Sequence, residues 1–225
     1  MKPFKASFVL IVVSLFSISS CSTTQQAYLR NIEMYFESGI DVTLSNDEIS
    51  QSTSDLIYVK NGDRSTVTMA LGFIENGQYK WLSRDGVMLI TENGRLVRTI
   101  GLEHNLLYVS NLSSDPLRTT SPHDKERQWD RVIDTEYGEY GVSLSSQTFI
   151  ATNEVISVQT QQLVTNKYVE SVHYQSQKHG EHQWTNTFWF HQASGQLLKS
   201  SQKLSSQSET LEITYLSRAI RLMEN

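Results

Sequence analysis

Cysteine and proline are scarce: the 225 residues hold one cysteine and three prolines. A lone cysteine closes no internal disulfide and builds no structural zinc site, so the chain stands on packing and hydrogen bonding. Cationic charge is sparse and scattered. There are 19 Lys and Arg against 24 Asp and Glu, a formal net charge of −5, with no basic block. This excludes the concentrated cationic face with which nucleic-acid binders displace counterions from phosphates. The longest apolar stretch near the N-terminus, Phe8 to Ile18, falls short of the ~20 residues of a membrane-spanning helix. A nucleophile elbow, a His-Glu-x-x-His zinc motif and a phosphate-cradling glycine loop are also missing. No catalytic residues, metal ligands or cofactors are expected.

What the N-terminus does have is a secretory pattern. Lys2 and Lys5 precede the apolar stretch, and the small residues Ser19 and Ser20 follow it, then Cys21. Ile18, Ser19, Ser20 and Cys21 together resemble the lipobox of bacterial lipoproteins. The resemblance implies cleavage before Cys21 and attachment of lipid to its thiol and amino group. Residues 1–20 then form the signal peptide and residues 21–26 a polar tether. A diacylglyceryl group with an amide-linked acyl chain exceeds the two signals that stable anchoring takes. Ser22, standing where a retention signal would place Asp, implies sorting to the outer membrane, with its lipid as the partner of acylated Cys21.

From Ala27 to Glu37, Tyr28, Ile32 and Phe36 recur four apart, the stripe of an amphipathic helix ending near Gly39. Ser45 and Glu48 form a capping-box pattern that predicts a second, short helical turn. After Asp55 the pattern becomes strand-like. Asn61-Gly62, Asn76-Gly77 and Asn93-Gly94 supply the positive φ of tight hairpin turns. Strands are expected at 56–60, 66–74, 79–83, 87–91, 96–100 and 106–110. Further strands are expected at 129–134, 142–150, 154–165, 168–175, 183–190, 197–204 and 211–216. Between the two sets, Asn111 to Gln128 carries Pro116 and Pro122 and reads as a long connection.

Many consecutive strands without alternating helices specify an all-β fold. Accumulated twist forbids a flat sheet of this width. The expectation is a large antiparallel meander curled into a barrel-like or strongly curved sheet. It forms a single domain over residues 27–225, with the early helix covering an opening or edge.

Among chemistry-bearing residues, His179 and His182 flank Glu181 on a predicted hairpin tip, a loose spacing that no further ligand set completes. Asp134 and Glu136 are an acid pair of the kind that flanks a sugar in glycosidases, or solvated strand residues. Aromatics are the richest signal. In the run Trp184 to Phe190 one face carries Trp184, Asn186, Phe188 and Phe190 and the other Trp189, so the strand is central or borders both a core and a ligand platform.

The stretch Gly72-Phe73-Ile74-Glu75-Asn76-Gly77-Gln78-Tyr79-Lys80-Trp81, then Asn93-Gly94-Arg95-Leu96-Val97, then Asp115-Pro116-Leu117, resembles the YjbF family of lipoproteins associated with group-four capsule and exopolysaccharide genes. Phe188-Trp189 followed by Gly195-Gln196-Leu197-Leu198 continues the match. The resemblance implies an outer-membrane lipoprotein that assists the making or export of surface polysaccharide without established catalysis. The partner would be the glycan itself or an export protein. Lys80, Trp81, Arg95 and Arg98 are the candidate contacts, since aromatic faces and cations suit an acidic glycan. Two other readings stand beside this one. The first is an envelope carrier holding an acyl chain inside its curved sheet, and the second is a polysaccharide-modifying hydrolase with two acids converging in a groove.

Overall fold

A computed structural model describes residues 43–119, 126–136 and 139–222. The signal peptide, Cys21, the tether and the helix expected at 27–37 lie outside the described residues, as does Pro122. All the described residues fall within one compact unit.

The capping box forms as its residues dictate. Ser45 Oγ accepts from Glu48 N while Glu48 Oε2 accepts from Ser45 N, and a six-residue helix, α1 (Asn46–Gln51), starts there. Five strands follow: β1 (Leu56–Asn61), β2 (Val67–Glu75), β3 (Gln78–Leu82), β4 (Met88–Glu92) and β5 (Arg95–Ile100). After β6 (Leu106–Val109), two 3-10 turns at Leu112–Ser114 and Pro116–Arg118 begin the expected connection. The rest is β7 (Arg127–Thr135), β8 (Glu139–Val158), β9 (Gln161–Ser176), β10 (Gly180–His191), β11 (Leu197–Lys203), β12 (Thr210–Tyr215) and α2 (Leu216–Arg221).

The twelve strands form one antiparallel sheet in the order β5-β4-β3-β2-β1-β12-β11-β10-β9-β8-β7-β6. The curled meander is therefore present, as a nearly closed barrel. Its two edge strands, β5 and β6, are consecutive in sequence, and side chains join them. Leu106 N donates to Thr99 Oγ1 (2.9 Å), and Thr99 Oγ1 donates to Asn105 Oδ1 (3.2 Å). Thr99 has no exposed surface. Closing the seam this way covers edges that would otherwise invite pairing with another chain.

Alternation decides which side chains enter. Along β8, Val142, Leu144, Ser146 and Thr148 are buried while Ser143, Ser145 and Gln147 are exposed. Trp81, Trp129, Tyr174, Tyr215 and Phe188 are the largest fully buried side chains. Their polar tips are served where the core allows it: Trp81 Nε1 donates to Thr91 Oγ1 (3.1 Å) and Trp129 Nε1 to the Asn111 carbonyl (2.9 Å).

Three expectations need correction. The strands expected at 142–150 and 154–165 are not two separate units. β8 runs unbroken to Val158, with a register shift between Ile150 and Thr152 absorbing one extra residue. The chain reverses instead at Gln159-Thr160, where Gln159 takes φ 56° without the glycine found at the Asn-Gly turns. Finally, Leu216 does not end a strand but opens α2, whose buried Leu216, Ala219 and Ile220 follow helical spacing.

Gly94 has φ +88°, and a Cβ there would stand 2.1 Å from Leu197 Cδ2, a buried side chain with little room to move. Gly77 has φ +78° and open space around it. Gly77→Ala therefore costs about 1 kcal/mol of backbone strain, and Gly94→Ala about 3 kcal/mol or more, since a clash adds to the strain. Urea unfolding of the two variants reads the difference, and equal costs would refute the packing of the β4–β5 turn onto Leu197.

Candidate functional site

The four residues predicted to contact a ligand do not converge. The strand register sets Lys80, Ile90 and Arg98 in one row across β3, β4 and β5. Lys80 is half-buried, with Nζ 2.8 Å from Glu75 Oε2 and 5.3 Å from the Phe73 ring centroid, and Arg98 is exposed. Trp81 is 1% exposed and Arg95 3%. Both point inward.

Arg95 is the centre of a buried polar cluster. Its Nε lies 2.6 Å from Asp115 Oδ2 and its Nη2 3.1 Å from Oδ1, a two-pronged pair, while Nη1 donates to Glu170 Oε2 (2.8 Å). Glu170 also accepts from Asn186 Nδ2 and Ser146 Oγ, and its Oε1 stands 3.2 Å from Arg131 Nη1. The ring of Trp129 stacks with both guanidiniums, 4.4 Å from Arg95 Cζ and 4.1 Å from Arg131 Cζ. Asp115 in turn caps the second 3-10 turn by accepting from Leu117 N (3.0 Å). Burial alone would raise the Glu170 carboxyl, but the two guanidiniums outweigh it and bring its pKa down to about 2. Burial pulls Arg131 down to about 10 despite Glu170. Around Arg95 burial pulls downward too, but Asp115 and Glu170 more than offset it and raise its pKa. Only about 20 Å³ is left open beside Arg95, Arg131 and Gln202, room for about one water and none for an acyl chain.

The acids and histidines singled out by sequence have structural partners. Asp134 Oδ1 accepts from Gly141 N (2.8 Å) and Glu136 Oε2 from Asn105 Nδ2 (2.6 Å). His182 Nε2 bonds the His179 carbonyl (2.8 Å). Among the described residues, no group of three or more His, Cys, Asp or Glu is placed to hold a metal. Trp189 faces outward with Lys167 and Lys199 at 5.5 and 5.4 Å from its ring centroid, whereas Trp184, Asn186, Phe188 and Phe190 turn inward.

What the sequence reading missed lies on the outer face of β7 to β10, where a groove of about 630 Å³ opens. Strand register builds it. Asp130, Ser145, His173 and Gln183 stand in one row across the four strands. Val132, Ser143, Gln175 and Glu181 stand in the next. A second hollow of about 620 Å³ shares Ser143 and Gln175 and continues to Tyr140, Gln177 and Lys178. On the opposite face of the same strands, Tyr174 Oη donates to Glu139 Oε2 (2.6 Å), Ser176 Oγ donates to the other oxygen (2.5 Å), and Arg131 holds Glu170. Burial and this bond to Glu139 push the Tyr174 phenol up. The polar alternation Ser143, Ser145 and His173, Gln175 was visible in sequence. The alignment of four strands that turns it into a groove was not.

The chain resembles known proteins over nearly its whole length. The family described as group 4 capsule polysaccharide lipoprotein gfcB, YjbF matches residues 29–216. The lipoprotein GfcB of Escherichia coli K12 is 30% identical over 213 residues, covering 93% of this chain and 98% of GfcB. The lipoprotein YjbF of the same organism is 26% identical over 215 residues, covering 93% and 97%. Among solved structures, the hypothetical lipoprotein YmcC of E. coli K12 superposes with a TM-score of 0.69 at 33% identity, covering 78% of this chain and 90% of that one.

Glu170 makes the core sensitive to acid. Its pKa lies near 2 in the folded protein against an ordinary 4.5, so its contribution is complete above about pH 4.5 and is lost as pH falls toward 2, about 3 kcal/mol in all. Glu170→Gln abolishes that slope. At pH 7 it costs about 3–5 kcal/mol, because two guanidiniums are left with one carboxylate. Urea unfolding followed by tryptophan fluorescence between pH 2.5 and 7 measures both effects; equal acid slopes in the two proteins would refute the role given to Glu170.

Proposed function

Because the chain belongs to the family of group 4 capsule polysaccharide lipoproteins and is in consequence a membrane-anchored envelope protein, we propose that it is a non-enzymatic participant in the assembly or export of a surface polysaccharide. It works at the outer membrane, facing the periplasm, with lipid on Cys21 as its anchor.

The contact face of this reading is the outer groove of β7 to β10. The observation that carries it is the contrast between that groove and the rest of the molecule. On other parts of the surface several charged side chains pair with one another, as in Lys167 with Glu154, Lys199 with Glu212 and Arg118 with Glu92. In the groove, Asp130, His173, Gln175, Glu181 and Gln183 make no side-chain hydrogen bond or ion pair among the described residues. Turning them toward an incoming molecule breaks no bond within the protein. The hollow beside Arg95 and Arg131 holds only about 20 Å³, and the acids Asp134 and Glu136 are engaged with amide groups, so the larger exterior groove is the better fit for a partner.

Deleting the gene is expected to reduce surface polysaccharide in the producing cells, with recovery on return of the wild-type gene. Cys21→Ser is expected to move the chain into the soluble periplasmic fraction and to leave the defect uncorrected. Quantifying cell-surface polysaccharide and fractionating the envelope check the two outcomes. Unchanged polysaccharide on deletion would overturn the role, and membrane retention of Cys21→Ser would overturn the anchor.

A further inference from the structure

The candidate contacts from sequence favoured an acidic glycan, because three of the four were cations. The groove has a different chemistry. The carboxylates Asp130 and Glu181 line its main hollow beside His173 and His182, the guanidinium that borders it, Arg131, is turned inward onto Glu170, and Lys178 stands in the second hollow. We infer that the groove binds a run of neutral sugar residues in an extended polysaccharide chain laid across β7 to β10. The inference rests on the polysaccharide role proposed above and names the ligand class for it.

Four observations converge on this. First, Gln175 and Gln183 each offer a carbonyl and an amino group, and Ser143 and Ser145 each offer a hydroxyl. These groups both donate and accept, as sugar hydroxyls do. Second, the carboxylates Asp130 and Glu181 accept hydrogen bonds from hydroxyls yet repel uronate or phosphate groups, so the main hollow, away from Lys178, selects against acidic residues. Third, the two hollows are contiguous and open, and four strands spaced about 4.8 Å apart extend the groove for about 14 Å across the sheet. That suits a polymer segment better than an enclosed small molecule. At the far end Tyr140 is 68% exposed, an aromatic face free to lie against a sugar ring. Fourth, the groove is built on strands, not loops. Their inner faces are fastened by Glu139 with Tyr174 and Ser176 and by Arg131 with Glu170, so the binding side chains are held in place before the ligand arrives.

Affinity electrophoresis tests the assignment. The full lipidated chain in detergent micelles is run through native gels cast with surface polysaccharide purified from the producing cells. A second gel carries the same polymer after chemical reduction of its carboxylates to alcohols. Both polymers are expected to retard the protein, with no loss of retardation on carboxyl reduction or in 0.5 M salt. Gln175→Ala with Gln183→Ala is expected to weaken binding at least tenfold while leaving the thermal unfolding midpoint unchanged, since both side chains are exposed. Phe73→Ala, which removes an exposed aromatic (48%) four strands from β10 in sheet order, is expected to bind as wild type. Loss of retardation on carboxyl reduction would overturn the neutral ligand class, and an equal loss in Phe73→Ala would overturn the groove. If neither polymer retards the protein while gene deletion still depletes surface polysaccharide, the glycan site fails and the polysaccharide role survives, pointing to a protein partner. If deletion has no effect, it is the role itself that fails.

Discussion

The guanidinium of Arg95, held between Asp115 and Glu170 and stacked on Trp129, is the contact around which the barrel is organised. It lies on an edge strand, β5. Its partners lie on the connection after β6 and on β9, and Glu170 passes the link to Arg131 on β7, Ser146 on β8 and Asn186 on β10. One cluster thus ties the free edge of the sheet to strands in its far half. Burying such charges costs several kcal/mol per ion before pairing, and pairing restores little beyond that. The cluster is therefore a weak source of net stability and a strong source of register. If β5 slipped by a residue, Arg95 would point outward, leaving Asp115 buried without its cation and Glu170 with Arg131 alone, an expensive outcome for this core.

The same cluster explains what the family resemblance was registering. Asn93-Gly94-Arg95 and Asp115-Pro116-Leu117 looked like separate motifs in the sequence, yet in the fold they are the two halves of one ion pair. Gly94 meets Leu197 from the Gly195-Gln196-Leu197-Leu198 element, and Trp81 packs edge-on against Tyr215 at 5.8 Å. The motifs are packing contacts that close a barrel. This is why Trp81 and Arg95 face inward, although residue types alone made them attractive as surface contacts.

Fold class was legible because its signals are local. Asn-Gly turns require positive φ, side chains alternate with period two, and the capping box is complete within four residues. The Gln159-Thr160 turn was not legible, since Gln159 adopts positive φ without the residue type that favours it. Tertiary pairing of Val158 with Gln161 imposes that conformation. The continuity of β8 was hidden for a related reason: a one-residue irregularity near Ala151 interrupts the alternation but not the ladder. α2 carried a readable signal in Leu216, Ala219 and Ile220, spaced for one helical face but too short for propensity to announce it against a preceding strand. The groove belongs to a different category. Ser145, His173 and Gln183 are each ordinary exposed strand residues, and they form a surface only because β8, β9 and β10 are paired in one particular register.

Core and groove are consequently two faces of one constraint. Successive residues of β7, β8 and β9 alternate between them: Asp130 outward and Arg131 inward, Ser145 outward and Ser146 inward, His173 outward and Tyr174 inward. Arg131, Ser146 and Tyr174 of the inward set are engaged in ion pairs, hydrogen bonds and stacking, which fixes the backbone. The outward set keeps its hydrogen-bonding capacity because its partners across the strands are other small or polar side chains that place no demand on it. A barrel with a filled interior can recognise a ligand only on its exterior, and rigid exterior recognition needs backbone fastened from behind. The charge cluster and the Glu139 clasp supply that fastening, so the side chains that carry no ligand are the ones that keep the groove in shape.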